Sequence, residues 1–450
     1  MTKIGHGLPP ILRSATADLL TKYGPLLFDW AARHGSPLNL VWPDALRENL
    51  AALKGVLTER RVQHAIYYGA KGNKSPGLMQ AALSASAGLD VSSLYELRDA
   101  RRLGADGARL VATGPAKTNA FHQALINCNA LISVDSPEEL EDLIHGLPAD
   151  AGQQPILLRL RPRDQSKSRF GMPPDAIVHC LVRLAGEGRL RFDGLHFHLS
   201  GYRRETRVAA LSEAADLIAE ARRMGFFPGM IDIGGGLPIQ YVDRARYDAH
   251  LAAQAPEDYR TGKIPDSFYP YGSTLSAADW LHRLLEAEMN QGRSVAGYLA
   301  REGLTLAMEP GRALADQAAI TVFRISRVKA VGPDSHVIFV SFSACETWFA
   351  SEFLIDPILV PATKATVQSP PVRAYLAGHS CLDEDVISNR WLTFPTAPRA
   401  GDLLDTPTPA ATRWTSSKTS SIAIPCPLAS ASSKTPKGGP ISFPDTIGEV

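Results

Sequence analysis

Lys71 lies in Tyr67-Tyr-Gly-Ala-Lys-Gly-Asn-Lys74, directly after a run of apolar and aromatic residues that reads as a β-strand. A lysine at the carboxyl end of a strand that opens on a site is desolvated there. Desolvation lowers the amine's pKa and favours the neutral form that makes a Schiff base with a carbonyl. Lys74, in the following turn, reads as a solvated charge. A second candidate is Ile231-Asp-Ile-Gly-Gly-Gly236, an apolar run ending in Gly234, Gly235 and Gly236. Backbone without side chains lets N–H groups approach a phosphate closely, or it simply makes a tight turn. In Met308-Glu-Pro-Gly-Arg312, Glu309 at a strand end can hold a cationic ring nitrogen. The fork of donors on Arg312 can reach a phosphate or a carboxylate, and a plain Glu–Arg salt bridge across the turn is the competing account. His196 and His198, in Gly194-Leu-His-Phe-His-Leu-Ser-Gly201, are two apart on a strand and share a face. His198, nearer the carboxyl end, can stack on a planar cofactor, whereas His196 reads as a hydrogen-bonded core residue. Metal binding by the pair finds no third ligand at suitable spacing, so no metal site is expected.

A Schiff-base lysine, a glycine loop, a ring-nitrogen carboxylate and a stacking histidine, each at a different strand end, describe a pyridoxal 5'-phosphate site. The elements that must position them follow a βα rhythm from about residue 65 to 309. Candidate strands are His64 to Gly69, Gly88 to Ser92, Arg109 to Thr113, Ala130 to Val134, Ile156 to Leu160, Gly194 to His198, Met230 to Ile233 and Leu304 to Glu309. Val208, Leu211, Ala215 and Ile218 recur at steps of three and four, which puts one apolar stripe of a helix against the sheet. Eight such strands predict a closed (β/α)8 barrel with its site at the carboxyl ends, where phosphate is commonly held after strands seven and eight. The segment 237–303 reads as an insertion over one mouth, with Phe268-Tyr-Pro-Tyr271 in it and helices after it.

Beyond Glu309 the texture changes to short β-rich runs at 319–328, 336–341, 372–376 and 391–394. The expected layout is an N-terminal segment 1–40 contributing to a β domain, a barrel over 41–309 and a C-terminal β domain over 310–450. The short strand at His34 to Leu40 would join that domain's sheet.

Composition sets the partner class. The 450 residues carry 47 Lys+Arg and 46 Asp+Glu, a formal charge of +1, which argues against nucleic acid or an anionic membrane as the main ligand. A small molecule is the default. No run approaches the length of a membrane span and the start lacks a signal-peptide pattern, so a cytoplasmic protein is expected. Cys128, Cys180, Cys345, Cys381 and Cys426 are odd in number and free of CxxC spacing, which indicates neither a disulfide framework nor zinc.

From about His34 to Leu404 the motifs resemble those of the fold type III, alanine racemase-like pyridoxal phosphate enzymes, and specifically the diaminopimelate, ornithine and arginine decarboxylases. Tyr68 to Asn73 is similar to the family's Schiff-base lysine motif, and Gly88 to Ser93 to its second-strand motif, with Asp90 near the lysine. Ser168-Arg-Phe-Gly-Met172 resembles a Ser-Lys-Phe-Gly segment, and Gly194 to His198 the strand whose last histidine stacks on the cofactor ring. Gly234 to Gly236 resembles the phosphate loop, and Glu309-Pro-Gly-Arg312 the motif whose glutamate pairs with the pyridine nitrogen. Cys381-Leu-Asp-Glu-Asp385 is similar to the Cys-x-x-x-Asp motif. The resemblance implies a head-to-tail homodimer in which that cysteine, from the partner subunit, protonates the carbanion after carbon dioxide leaves.

Two departures stand out. Leu-Ser-Gly follows His198 where the family has a Gly-Ser pair, so Ser200, the expected phosphate contact, is displaced by one position. Leu382 follows Cys381 where the diaminopimelate and ornithine enzymes carry an acid that reads the distal amine; Asp383, Glu384 or Asp385 would substitute. The implied function is decarboxylation of an amino acid, diaminopimelate or a related diamino acid. A non-catalytic carrier of the same barrel lacks a β domain, so 310–404 favours the enzyme. A racemase needs a second-face base, typically tyrosine, where Cys381 stands.

The stretch 405–440 is atypical. Ser, Thr, Pro and Ala make up 24 of its 36 residues, which alone would describe a disordered tail. The family expects a glycine-tyrosine strand here, whose tyrosine touches the cofactor phosphate; Ala411-Thr-Arg-Trp-Thr415 stands instead. A permitted codon choice for 411–415, read one nucleotide earlier, gives Gly-Tyr-Gln-Met-Asp. The stretch therefore reads as out-of-frame translation, with the frame regained near Ile441.

Overall fold

In the computed structural model, residues 7–149, 152–199, 201–268, 272–341, 352, 354–363, 370–406, 421–423 and 441–443 are described. They belong to two compact units, one of Leu46–Pro238 and Leu275–Leu314, the other of Met1–Ala45, Ile239–Thr274 and Ala315–Val450. The segment 237–303 is thus divided: 239–274 groups with the second unit and 275–303 with the first. Its Tyr269 to Tyr271 lie outside the described residues.

Strand β1, Leu38–Val41, precedes the first unit's eight strands: β2 (His64–Gly69), β3 (Gly88–Val91), β4 (Leu110–Ala112), β5 (Leu131–Val134), β6 (Gln154–Arg159), β7 (Leu190–His196), β8 (Met230–Asp232) and β9 (Thr305–Met308). Each pairs in parallel with the next, and β9 returns to β2 to close the expected barrel. Tyr67, Val111, Leu131, Leu157 and Ala307, one from each of five strands, form a buried apolar cluster, because alternate residues of a strand point to the same side. The β6–β7 ladder shifts register between Ile156 and Leu157 at Gly194. A Cβ on Gly194 would stand 1.9 Å from the Met230 carbonyl oxygen, so only glycine lets β7 lie this close to β8. β7 ends at His196, which leaves His198 just past the strand rather than on it.

Two strand ends share a cap that brings charge inward. Ser93 Oγ accepts from the Glu96 N–H at 3.2 Å and Ser136 Oγ from the Glu139 N–H at 3.2 Å, closing the first turns of helices Leu94–Arg102 and Pro137–Gly146. Each glutamate then reaches back to a strand-end N–H, Ser92 or Asp135, at 2.6 Å. Each also takes a lysine: Lys74 Nζ is 3.3 Å from Glu96, so it is paired rather than simply solvated, and Lys117 Nζ is 2.8 Å from Glu139.

The second unit is a sheet. Its further strands are β10 (Ala319–Gly332), β11 (Ser335–Val340), β12 (Ile358–Val360), β13 (Val372–Ala377), β14 (Val386–Phe394), β15 (Leu403–Thr406), β16 (Ser421–Ala423) and β17 (Ile441–Phe443). The order is β14-β13-β11-β10-β1-β16-β17, with β15 pairing β10 and β12. β1 runs antiparallel to β10, Leu38 opposite Val322. Phe323 and Ile325, Ile338 and Val340, Ala374 and Leu376, Leu392 and Phe394 alternate along their strands into one core with Leu404. Asp405, where the atypical stretch begins, is buried in β15 with neither carboxylate oxygen hydrogen-bonded, and burial pushes its carboxyl well above the usual range. Residues 411–415, on which the frame reading rests, lie outside the described residues, as do Cys345 and Cys426. Among the described residues no helix is long and apolar enough to cross a membrane.

Candidate active site

Lys71 follows β2 in a short 3-10 turn, Ala70–Gly72, and its Nζ lies 3.3 Å from Asp90 Oδ2 at the end of β3. Asp90 is fully buried and its other oxygen accepts from Thr113 Oγ1 at 2.6 Å, which fixes the carboxylate. Burial by itself pulls the Lys71 ammonium down, as the sequence suggests, yet Asp90 and Glu309 outweigh it and the net shift is upward. The expected neutral amine is thus overturned for this state, because the anions around Lys71 contribute more than desolvation costs. Asp90 is itself raised, by burial first and then by Glu309.

Glu309, just after β9, is 1% exposed, and neither carboxylate oxygen meets a fixed donor; its one hydrogen-bond neighbour among the described residues is Asp232, an acid that donates only when protonated. His196 Nε2 lies 3.5 Å from one oxygen and His198 Nδ1 3.7 Å from the other. No ion pair joins Glu309 to Arg312, so the plain salt bridge across the turn is absent; Arg312 is half-buried and engaged elsewhere in the protein. Burial raises the Glu309 carboxyl. Asp232, at the end of β8, is fully buried and pushed up further, by burial and then by repulsion from Glu309. An orphaned buried carboxylate is costly unless a partner arrives, and a protonated ring nitrogen is such a partner.

The histidines divide the work. His196 is wholly buried, its Nδ1 2.7 Å from Ser133 Oγ, as a core histidine should be. His198 is 28% exposed at its side chain, and its Nδ1 accepts from the Gly235 N–H at 3.2 Å. Both pKa values are held well below the ordinary range, first by burial and then by Arg159 and Lys71, so both rings are neutral. The expectation that the pair lacks a third donor is corrected: the donor atoms of His196, His198 and Glu309 all lie within 4.8 Å of one another. A cation and a planar cofactor would compete for that space.

The loop Gly234–Gly236 packs without room for side chains. A Cβ on Gly234 would meet His198 Nδ1 at 2.7 Å, and one on Gly235 the Glu309 carbonyl oxygen at 2.6 Å. The Gly234 N–H donates to Asp232 Oδ1 at 2.8 Å and the Glu309 N–H to the Gly234 carbonyl at 2.9 Å, tying the loop to the Asp232 carboxylate and the Glu309 backbone. Glycine cradle, buried carboxylate and neutral histidine together fit an aromatic, phosphorylated, ring-protonated group. Ser200 lies outside the described residues.

Other site neighbours escaped the sequence reading. Arg159, at the end of β6, donates to Asp135 Oδ1 at 2.7 Å and lies 4.6 Å over the Phe170 ring, while the Gly171 N–H donates to Asp135 Oδ2 at 3.0 Å. Asp135 therefore anchors the 168–172 segment. Lys117 is buried, its Nζ donating to the carbonyls of Gly114 and Ser133 at 2.9 and 2.6 Å as well as to Glu139. The signal for it was the repeated Ser-x-x-Glu cap.

In the sheet unit, Cys381, Leu382, Asp383 and Glu384 are exposed. Asp385 is 2% exposed; its Oδ2 accepts from the Ser380 N–H at 2.8 Å, and a Cβ on Gly378 would lie 2.3 Å from its oxygens. Asp385 holds the turn that presents the other four.

Residues 44–261 match the family model described as pyridoxal-dependent decarboxylase, pyridoxal binding domain. An uncharacterized protein, y4yA, of Sinorhizobium fredii is 88% identical over all of this chain and 99% of its own length. Diaminopimelate decarboxylase of Corynebacterium efficiens is 24% identical over 86% of this chain and 81% of its own. The structure of diaminopimelate decarboxylase from Helicobacter pylori complexed with L-lysine superposes with a TM-score of 0.68 at 15% identity, covering 89% of this chain and 94% of that one. The cofactor that these matches support is pyridoxal phosphate, and the chain belongs to the fold type III pyridoxal phosphate-dependent decarboxylases.

Proposed function

We propose that this protein decarboxylates an amino acid, diaminopimelate or a related diamino acid, at the carboxyl end of the barrel. The observation that carries the reading is Glu309, a buried carboxylate that no fixed hydrogen-bond donor reaches, beside a strand-end lysine. When bound, pyridoxal phosphate supplies a conjugated electron sink for the pair left behind as carbon dioxide departs.

Each residue has a part in this scheme. Lys71 is the attachment point, and Asp90, at 3.3 Å, is placed to manage the proton that its amine must give up. Glu309 holds positive charge on the ring nitrogen, which would offset the burial that raises its own carboxyl and the repulsion it exerts on Asp232. His198 offers a neutral flat face to the ring. The loop Gly234 to Gly236, with Ser200, receives the phosphate, and Arg312 receives phosphate or the substrate's carboxylate. Cys381 returns a proton to the α-carbon from the partner subunit of a homodimer, in which its exposure on a turn would be covered. Asp383 and Glu384, also exposed, would meet a distal amine, with Asp385 holding their turn. The diamino-acid preference draws on relatives named diaminopimelate decarboxylase and lysine/ornithine decarboxylase.

The test is carbon dioxide release from a panel of diamino and monoamino acids, with Lys71→Ala as control. Release from a diamino acid, absent in the control, is expected. A protein that binds the cofactor and releases carbon dioxide from none of them contradicts the proposal.

A further inference from the structure

Arg207 is a buried cation without an anion. It occupies the fourth position of the helix Arg204–Arg223, is 0% exposed, and has no carboxylate partner among the described residues. Its Nη2 donates to the carbonyls of Gly235 at 2.9 Å, Gly236 at 3.1 Å and Leu199 at 3.4 Å, and its Nη1 to that of Gly201 at 3.1 Å. The guanidinium lies 5.1 Å over the Trp280 ring, and Nε has no partner. Burial lowers its pKa only to about 10, so it stays charged at neutral pH.

Two features make this placement unfavourable unless an anion is near. A buried charge satisfied only by neutral carbonyls lacks the countercharge that normally offsets desolvation. The first turn of a helix, moreover, is the end where the macrodipole disfavours cations. The loop geometry says where the anion belongs. In a planar trans peptide C=O and N–H point in opposite directions, so carbonyls of Gly235 and Gly236 that face Arg207 turn the N–H groups of Gly236 and Leu237 to the loop's other face. Neither of those N–H groups donates to a described residue. A Cβ on Gly236 would stand 2.6 Å from Arg207 Nη2, so the loop and the guanidinium are in direct contact.

We infer that Arg207 is the positioning residue of the phosphate end of the cofactor site: it clamps two glycine-containing segments from behind and supplies the buried positive charge that a phosphate on the loop's far face neutralises. This rests on the reading of the barrel mouth as a pyridoxal phosphate site. It also suits a chain in which the serine expected to contact phosphate is displaced by one position.

The experiment is a fluorescence titration of full-length protein, stripped of cofactor, with pyridoxal phosphate and separately with pyridoxal. Arg207→Gln is expected to weaken pyridoxal phosphate by about 10- to 100-fold, the range for losing a charged hydrogen-bonding partner, while pyridoxal affinity stays within about twofold. Arg207→Lys keeps the charge and retains most of the preference. Equal weakening of both ligands, or no weakening of either, overturns the inference. Should Arg207→Gln not fold by circular dichroism, Arg207→Lys decides alone: a retained preference for the phosphorylated ligand supports the role, and its collapse contradicts it. Failure of the underlying reading is distinguishable, since wild-type protein would then bind neither ligand.

Discussion

Asp90, His196, Asp232 and Glu309 at the barrel mouth are 0 to 1% exposed and crowd one another, whereas Cys381, Asp383 and Glu384 stand on a turn open to solvent. In the barrel, burial and neighbouring charge shift these proton affinities before any ligand arrives: histidines are driven neutral, and the three carboxylates Asp90, Asp232 and Glu309 are raised. On the turn the backbone is fixed, by Asp385, while the chemistry-bearing side chains are not enclosed. Under the proposed function, the barrel holds a pre-paid electrostatic site for the cofactor and the turn supplies groups that become desolvated only once a partner and a substrate cover them.

Substitutions in the two regions should therefore fail in different ways. Lys71→Ala should cut carbon dioxide release by about 10⁴-fold and abolish the cofactor's protein-bound absorbance band. Glu309→Gln should cost about 10³-fold in kcat and change the cofactor's spectrum, because a neutral amide cannot keep the ring nitrogen protonated. Cys381→Ala should cost about 10²-fold in kcat and leave the spectrum and the cofactor's affinity alone. A spectral change in the cysteine variant, or none in the glutamate variant, would erase the contrast between the regions.

A stability measurement asks whether burial acts alike outside the barrel. Asp316 in the sheet unit is pushed up to about 7, mainly by burial. With the folded pKa above the unfolded one, the folded state binds more protons between about pH 4 and 7, so stability is full below that window and falls as pH rises through it. At about 1.4 kcal/mol per unit, Asp316→Asn should remove a few kcal/mol of that pH dependence in urea titrations; parallel curves for variant and wild type would count against it. The smallest effect belongs to the exposed acids: Asp383→Asn should raise KM for a diamino acid by only a few fold, since exposed charge pairs contribute little.

The barrel was legible because its strands are short apolar runs at regular spacing and because Lys71, Asp90, His198 and Glu309 each sit in a local motif at a strand end. What joins these motifs across space was not. His196 meets Ser133 across 63 positions of sequence, and nothing local announces that pair. Asp232 is visible as an acid inside the run Ile231-Asp-Ile233, but its repulsion with Glu309 appears only when β8 and β9 lie side by side. Arg207 reads as an ordinary charge on a charged helix, since periodicity does not say that an arginine is buried. The upward shift of Lys71 was missed for a related reason: desolvation can be guessed from position, whereas the balance against two particular anions needs their coordinates. For 405–440 we propose the shifted frame still; gene sequencing should find codons at 411–415 that yield glycine-tyrosine in a neighbouring frame.

Everything proposed for the barrel mouth depends on which lysine carries the cofactor. Lys117 is the natural rival, a second strand-end lysine in the same barrel, but its Nζ is already committed to Gly114, Ser133 and Glu139. Reduction of the holoprotein with borohydride followed by peptide mass mapping decides between them. The predicted result is a single pyridoxyl-phosphate label on Lys71; a label on Lys117 or Lys74, or none on Lys71, would contradict the role proposed for Lys71.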